Sequence, residues 1–180
     1  MDNDEISYKV SYRAVKYPRI ELGSSIPLLI LPKGMKPEQI ISRHKKWLNK
    51  KLKHINEILT EPSDLILYNR SDDDFINLVY MMVYNISKEL NVKATKIKFR
   101  KMKTKWGSMS SKRRVNLNLL MKYLPEYLIN YIVYHELCHI LINRHDKKFY
   151  QLISLKFKDH KKIRKDLNDY WYLILKEESK

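Results

Sequence analysis

The chain has 180 residues, with 36 Lys and Arg against 20 Asp and Glu, giving a formal charge of +16. At 44% hydrophobic residues, with only three Gly and six Pro, it can build an ordinary core, which excludes a long linker or low-complexity protein. The single cysteine, Cys138, excludes an intrachain disulfide, and the basic charge predicts attraction to polyanions such as nucleic acid, nucleotides or acidic peptides.

The N-terminus, Met1-Asp2-Asn3-Asp4-Glu5, is acidic and has no apolar stretch of the signal-peptide kind. No apolar run reaches membrane-spanning length, so a cytoplasmic protein without membrane association is expected. Tyr8, Val10 and Tyr12 alternate with polar residues, the alternation resumes at Pro18–Leu22, and Pro27–Leu31 is a short apolar run. With Gly23-Ser24-Ser25 as a turn, this predicts a small antiparallel sheet of three strands, an N-terminal lobe over residues 1–36. Residues 37–59 read as a long helix, with Ile40, Ile41, Trp47, Leu48, Leu52, Ile55, Ile58 and Leu59 on its apolar face and lysines opposite.

Glu61-Pro62-Ser63-Asp64 breaks that helix, and Leu65–Tyr68 reads as a short strand. Ser71 followed by three aspartates is a helix start, with the core stripe Phe75, Leu78, Val79, Met82, Val83 and Ile86 running on to Leu90. From 95 to 118 the pattern is strand-like, and the phase of the alternation flips after Lys101. One extra residue at Arg100-Lys101 would restore a single apolar face, so a β-bulge is predicted there. The other face would then carry Lys96, Lys98, Arg100, Lys103 and Lys105 as a solvated surface or an anion-binding track. Residues 146–158 and 160–177 read as two amphipathic helices.

The chemistry is concentrated in the helix predicted over 125–142. It is apolar around most of its circumference but keeps His135, Glu136, His139 and Asn143 on one stripe. His135-Glu136-Leu137-Cys138-His139 is an H-E-x-x-H sequence, which puts two imidazoles on one face, where they can share a metal ion, and a carboxylate beside them as a base. In a chain of this composition the pattern arises by chance roughly once in a hundred times. A third ligand requires the helix to end. Asn143, which tolerates the left-handed conformation, offers the exit, and Asp146 can cap the next helix. His145 is then the first choice of third ligand, with Asp146, Asp159 and Glu177 as alternatives. The His139–His145 spacing is that of metzincins, but Ile142 stands where they carry Gly and no Met follows Met121, so the chain departs from that class. Cys138 falls on the apolar side and reads as core, while His44, His54 and His160 lack partner motifs.

Lys101-Met102-Lys103-Thr104-Lys105-Trp106-Gly107-Ser108, Val115-Asn116-Leu117-Asn118 and Tyr131–His139, followed by His145 and Phe149, resemble the YgjP-like metallopeptidase family. The resemblance implies one α+β, zincin-like metallopeptidase domain over 1–180, with the small N-terminal β-lobe and a catalytic core over 37–180 built around a buried HExxH helix. It implies one zinc ion on His135, His139 and His145, Glu136 as general base, and walls formed by the Trp106–Ser108 segment and the strand carrying Asn116 and Asn118. Met109 stands where the family usually has Cys. The expected function is zinc-dependent hydrolysis of a peptide or protein. The alternatives are nucleoside triphosphate pyrophosphatase activity at the same centre, with Lys105 and Arg113 among the cations for a triphosphate, or nucleic-acid binding with a structural zinc. An extended peptide would dock on the strand edge near 113–118.

Overall fold

A computed structural model describes residues 6–23, 26–61 and 64–178. The acidic residues 1–5, the turn residues 24–25 and the helix-breaking residues 62–63 lie outside that range. The chain forms two compact units, one comprising Met1–Asp64 and Trp171–Lys180, the other Leu65–Tyr170. Among the described residues no helix is long and apolar enough to cross a membrane.

In the first unit β1 (Lys9–Tyr12), β2 (Arg19–Glu21) and β3 (Leu28–Leu31) make a sheet of order β1-β3-β2. β2 pairs antiparallel with β3 but β1 pairs parallel with it, so the expected all-antiparallel lobe is corrected to a mixed sheet. The run Leu28-Leu29-Ile30-Leu31 accounts for the order, because a strand apolar on both faces belongs in the middle. Leu29 and Leu31 pack with Ile40 of α1 (Pro37–Thr60). The buried stripe of α1, Ile40, Leu48 and Ile55, is narrower than its apolar positions. Trp47, predicted to face inward, sits one residue (about 100°) off that stripe and is 44% exposed.

The second unit begins without the strand predicted at Leu65–Tyr68; that segment makes a backbone hydrogen bond from Tyr68 N–H to the Tyr123 carbonyl. α2 (Asp72–Leu90) starts as the sequence predicts, with the Ser71 side chain accepting from Asp74 N–H, and ends at Asn91 in the left-handed region. β4 (Lys96–Arg100), β5 (Gly107–Met109) and β6 (Arg114–Asn118) form a sheet of order β4-β6-β5, parallel between β4 and β6 and antiparallel between β5 and β6. β6 is therefore the central strand, and the edge predicted at 113–118 is instead offered by β5.

The β-bulge predicted at Arg100-Lys101 is replaced by the end of β4, after which residues 101–106 leave the sheet. Asn118, fully buried, holds that departing loop. Its amide donates to the carbonyls of Met102 and Lys105 and its oxygen accepts from Met102 and Leu120 N–H, at 2.8–3.2 Å. Asn118→Leu would strand these backbone groups in a buried site. Chemical denaturation is expected to show a loss of about 3 kcal/mol, whereas a surface asparagine would move stability by less than about 0.5 kcal/mol.

A short 3₁₀ turn (Leu119–Tyr123) leads to α3 (Glu126–Cys138), which packs on α2, β5, β6 and the following α4 (Lys147–Lys156). Nine of its thirteen residues are buried, Cys138 among them. The α+β character is as expected. α3 itself is shorter than the predicted 125–142. It stops at Cys138, and i→i+3 bonds from Ile140 to Leu137 and Leu141 to Cys138 tighten the exit. Asn143 is not left-handed, because these backbone bonds have already ended the helix. Asp146 caps α4, as predicted, by accepting from Phe149 N–H at 3.1 Å. α5 (His160–Glu177) matches its predicted span and belongs to this unit through Tyr170.

Candidate metal centre

The last turn of α3 carries His135 and Glu136, and His139 occupies its C-terminal cap. The tightened exit turns the chain back, so that His145 meets both imidazoles. Its Nε2 lies 2.9 Å from His135 Nε2 and 3.0 Å from His139 Nε2. The candidate ligand atoms of the three residues all fall within 4.8 Å of one another. Three nitrogens in a tetrahedral zinc shell stand roughly 3.3 Å apart at Zn–N distances of about 2.0–2.1 Å, so the set fits one ion. Of the alternatives to His145, Asp146 is engaged in its cap, and no other carboxylate or thiol joins the cluster among the described residues.

Phe149, fully buried on α4, is the floor of the cluster. His139 stacks on it at 4.6 Å between ring centroids, and the rings of His135 and His145 meet it edge-on at 4.9 and 4.8 Å. His139 Nδ1 lies 3.1 Å from the Ile142 carbonyl. A carbonyl only accepts, so Nδ1 carries the proton and the Nε2 lone pair is left for the cluster. Burial, then the neighbouring His139 and His145, hold the His135 pKa down to about 3. Burial also lowers that of His139. Neutral imidazoles are the form that ligates a metal.

Glu136 is only 7% exposed. Burial raises its pKa to about 7, against the lowering effects of Lys105 and a hydrogen bond from the Met109 backbone. The carboxylate lies against β5 so closely that a Cβ on Gly107 would come within 2.7 Å of its Cγ and Oε1. This close approach explains why glycine stands at 107. Glu136 Oε2, His135 Nδ1 and the Tyr131 hydroxyl are buried without a hydrogen-bond partner among the described residues. Orphaned atoms of this kind beside a histidine cluster call for a ligand or an ion with its water.

These groups open into a cavity of about 670 Å³ between β5 with its flanking loops and helices α3 and α5. Of the residues predicted to contact substrate, Lys105, Trp106 and Ser108 line it. Asn116, Asn118 and Arg113 do not. Asn118 is spent on its backbone clamp, Asn116 donates to Ser108 from the central strand, and Arg113 sits in the left-handed turn between β5 and β6. Arg164 and Asn168 of α5 also line the cavity, as does Tyr131. The i, i+4 spacing of Arg164 and Asn168 places them on one helix face. That spacing is legible in the sequence, but nothing in the sequence aims the face at the histidines.

The YgjP-like, metallopeptidase domain family matches residues 65–170. Among solved structures, the chain is similar to the metallopeptidase zymogen jannalysin of Methanocaldococcus jannaschii, with 28% identity, 49% of this chain and 92% of that chain covered, and a TM-score of 0.46. It is also similar to the metallopeptidase zymogen abylysin of Pyrococcus abyssi, with 20% identity, 49% and 90% coverage, and a TM-score of 0.46. No curated protein matches the chain. The family match spans more than half of the chain and contains every residue of the histidine cluster, so the chain belongs to the YgjP-like metallopeptidase domain family.

Proposed function

We propose that the protein is a zinc-dependent peptide hydrolase in which His135, His139 and His145 hold one ion and Glu136 is the general base. One observation carries this reading: the three imidazole nitrogens converge in the cavity that also contains the buried carboxylate with a free oxygen. When bound, zinc supplies Lewis acidity and lowers the pKa of a coordinated water toward about 7. Glu136 takes the proton through its unpartnered Oε2 and returns it to the leaving amine. The Met109 amide fixes the carboxylate, burial raises its basicity, and the Lys105 charge limits that rise. Phe149 closes the cluster from below, and the Ile142 carbonyl sets the His139 tautomer. The outer edge of β5, which bonds only to β6, supports extended binding of a peptide along the cavity. Incubation with a complex peptide mixture, read by mass spectrometry, is expected to yield new termini that vanish with chelator and return with zinc. Intact peptides under every metal condition would refute the reading, and selective loss of added nucleoside triphosphate would replace it with the pyrophosphatase alternative.

The closeness of β5 to Glu136 gives a sharper expectation. In Gly107→Ala the new methyl displaces the carboxylate rather than the backbone, because the clash is with side-chain atoms. Peptide hydrolysis should fall about 100-fold, the scale of a 1 Å misplacement, while zinc content and melting temperature stay near wild type. Unchanged activity would show that Glu136 needs no such placement.

A further inference from the structure

Between Asn91 and Pro125 the sequence has eleven Lys and Arg and no Asp or Glu, so this stretch alone carries most of the excess positive charge. The fold turns the stretch into the β4-β6-β5 sheet. Side chains of a strand alternate between faces. Ile97 and Phe99 of β4, paired with Val115 and Leu117 of β6, turn toward the core. The opposite face presents Lys96, Lys98 and Arg100 from β4 and Arg114 from β6. The four cations are exposed, and none forms an ion pair among the described residues. Lys96 and Arg114 are direct cross-strand partners, and like charges in that position destabilise a sheet. A surface under no other demand would relieve that repulsion with a single carboxylate.

We propose that this outer face binds the phosphodiester backbone of nucleic acid, independently of the metal centre. Alternate residues of a strand repeat every ~6.6 Å, so β4 offers a regular row of cations, with Arg114 beside it. No aromatic side chain of the three strands lies on this face, since Phe99 turns inward. Base stacking is thus absent, and the contacts are to phosphate and carry no sequence preference. An acidic peptide of equal charge carries less condensed counterion to release than a nucleic-acid backbone and binds more weakly.

The test is fluorescence anisotropy with the full chain and a labelled mixed-sequence DNA duplex, the matching single strand, the matching RNA, and polyglutamate of equal charge, each over a salt series. Four phosphate contacts predict a slope of log affinity against log salt of at least about 3.6 in magnitude on duplex. Replacing Lys96, Lys98, Arg100 and Arg114 by Gln is expected to lower that slope by about 3.6 and the affinity at least tenfold. The melting temperature should stay level or rise as the repulsion is removed. The single variant Lys96→Gln supplies the same reading with a slope change of about one, should the fourfold variant fail to fold. The control removes equal charge from exposed positions of α1, as Lys45, Lys46, Lys50 and Lys53 to Gln, and should leave the slope within one of wild type. Equal losses in both variants would reduce the effect to net charge and overturn the proposal. So would polyglutamate binding as tightly as the nucleic acids. A DNA or RNA preference among the nucleic acids would name the source of the phosphodiester. Binding should persist in chelator, so its failure and that of the hydrolase reading are separate results.

Discussion

Glu136→Gln is expected to lower peptide hydrolysis roughly a thousandfold or more while leaving the fold and the bound zinc in place. The substitution keeps the length and shape of the side chain, and its carbonyl can still accept the Met109 amide hydrogen bond. It removes the group that accepts a proton, and positioned general acid–base groups contribute about 10²–10⁴ in rate. The histidine cluster is untouched, because Glu136 belongs to the same helix turn but points at β5. Burial makes a neutral amide easier to hold there than a carboxylate, so the melting temperature should not fall. The measurements are kcat on a cleaved peptide, zinc content and thermal unfolding. Activity within tenfold of wild type would remove Glu136 from the chemistry.

The second large effect separates neighbouring residues. His145→Ala is expected to abolish hydrolysis and zinc retention together, since it removes the imidazole that lies 2.9 and 3.0 Å from the other two. Asp146→Ala should instead cost about 1 kcal/mol of stability through the lost cap of α4 and leave zinc in place at low temperature. The cap precedes Phe149, on which His139 stacks, so the Asp146 variant should lose zinc only as α4 loosens on heating. If zinc survived His145→Ala and was lost in Asp146→Ala, the carboxylate would be the third ligand.

Much of this centre was legible because its signals are local. The four-residue spacing of His135 and His139, the acidic start of α2 and the Asp146 cap depend on a few neighbouring residues. What the sequence misplaced depends on long-range pairing. Alternation locates β1, β2 and β3 but does not say that β1 runs parallel to β3. The phase flip after Lys101 resembles a bulge, yet it marks where the chain leaves the sheet, held by Asn118, which is distant in sequence. α3 ends earlier than its apolar pattern, because Ile140 and Ile142 remain apolar through a turn closed by backbone hydrogen bonds. Arg164 and Asn168 went unnoticed because the apolar residues of α5 draw attention, and these two polar side chains sit at the border of that face, beside Leu167 in the cavity lining.

Three histidines of this chain are proposed to hold one zinc ion with a position left open for chemistry. X-ray absorption at the zinc edge on the purified wild-type protein, with zinc content measured on the same sample, tests it most directly. The expected result is one zinc per chain with three imidazole nitrogens at about 2.0–2.1 Å and one oxygen. A sulfur ligand at about 2.3 Å, which could come from Cys138 or a methionine, or a protein that retains no zinc, would contradict it.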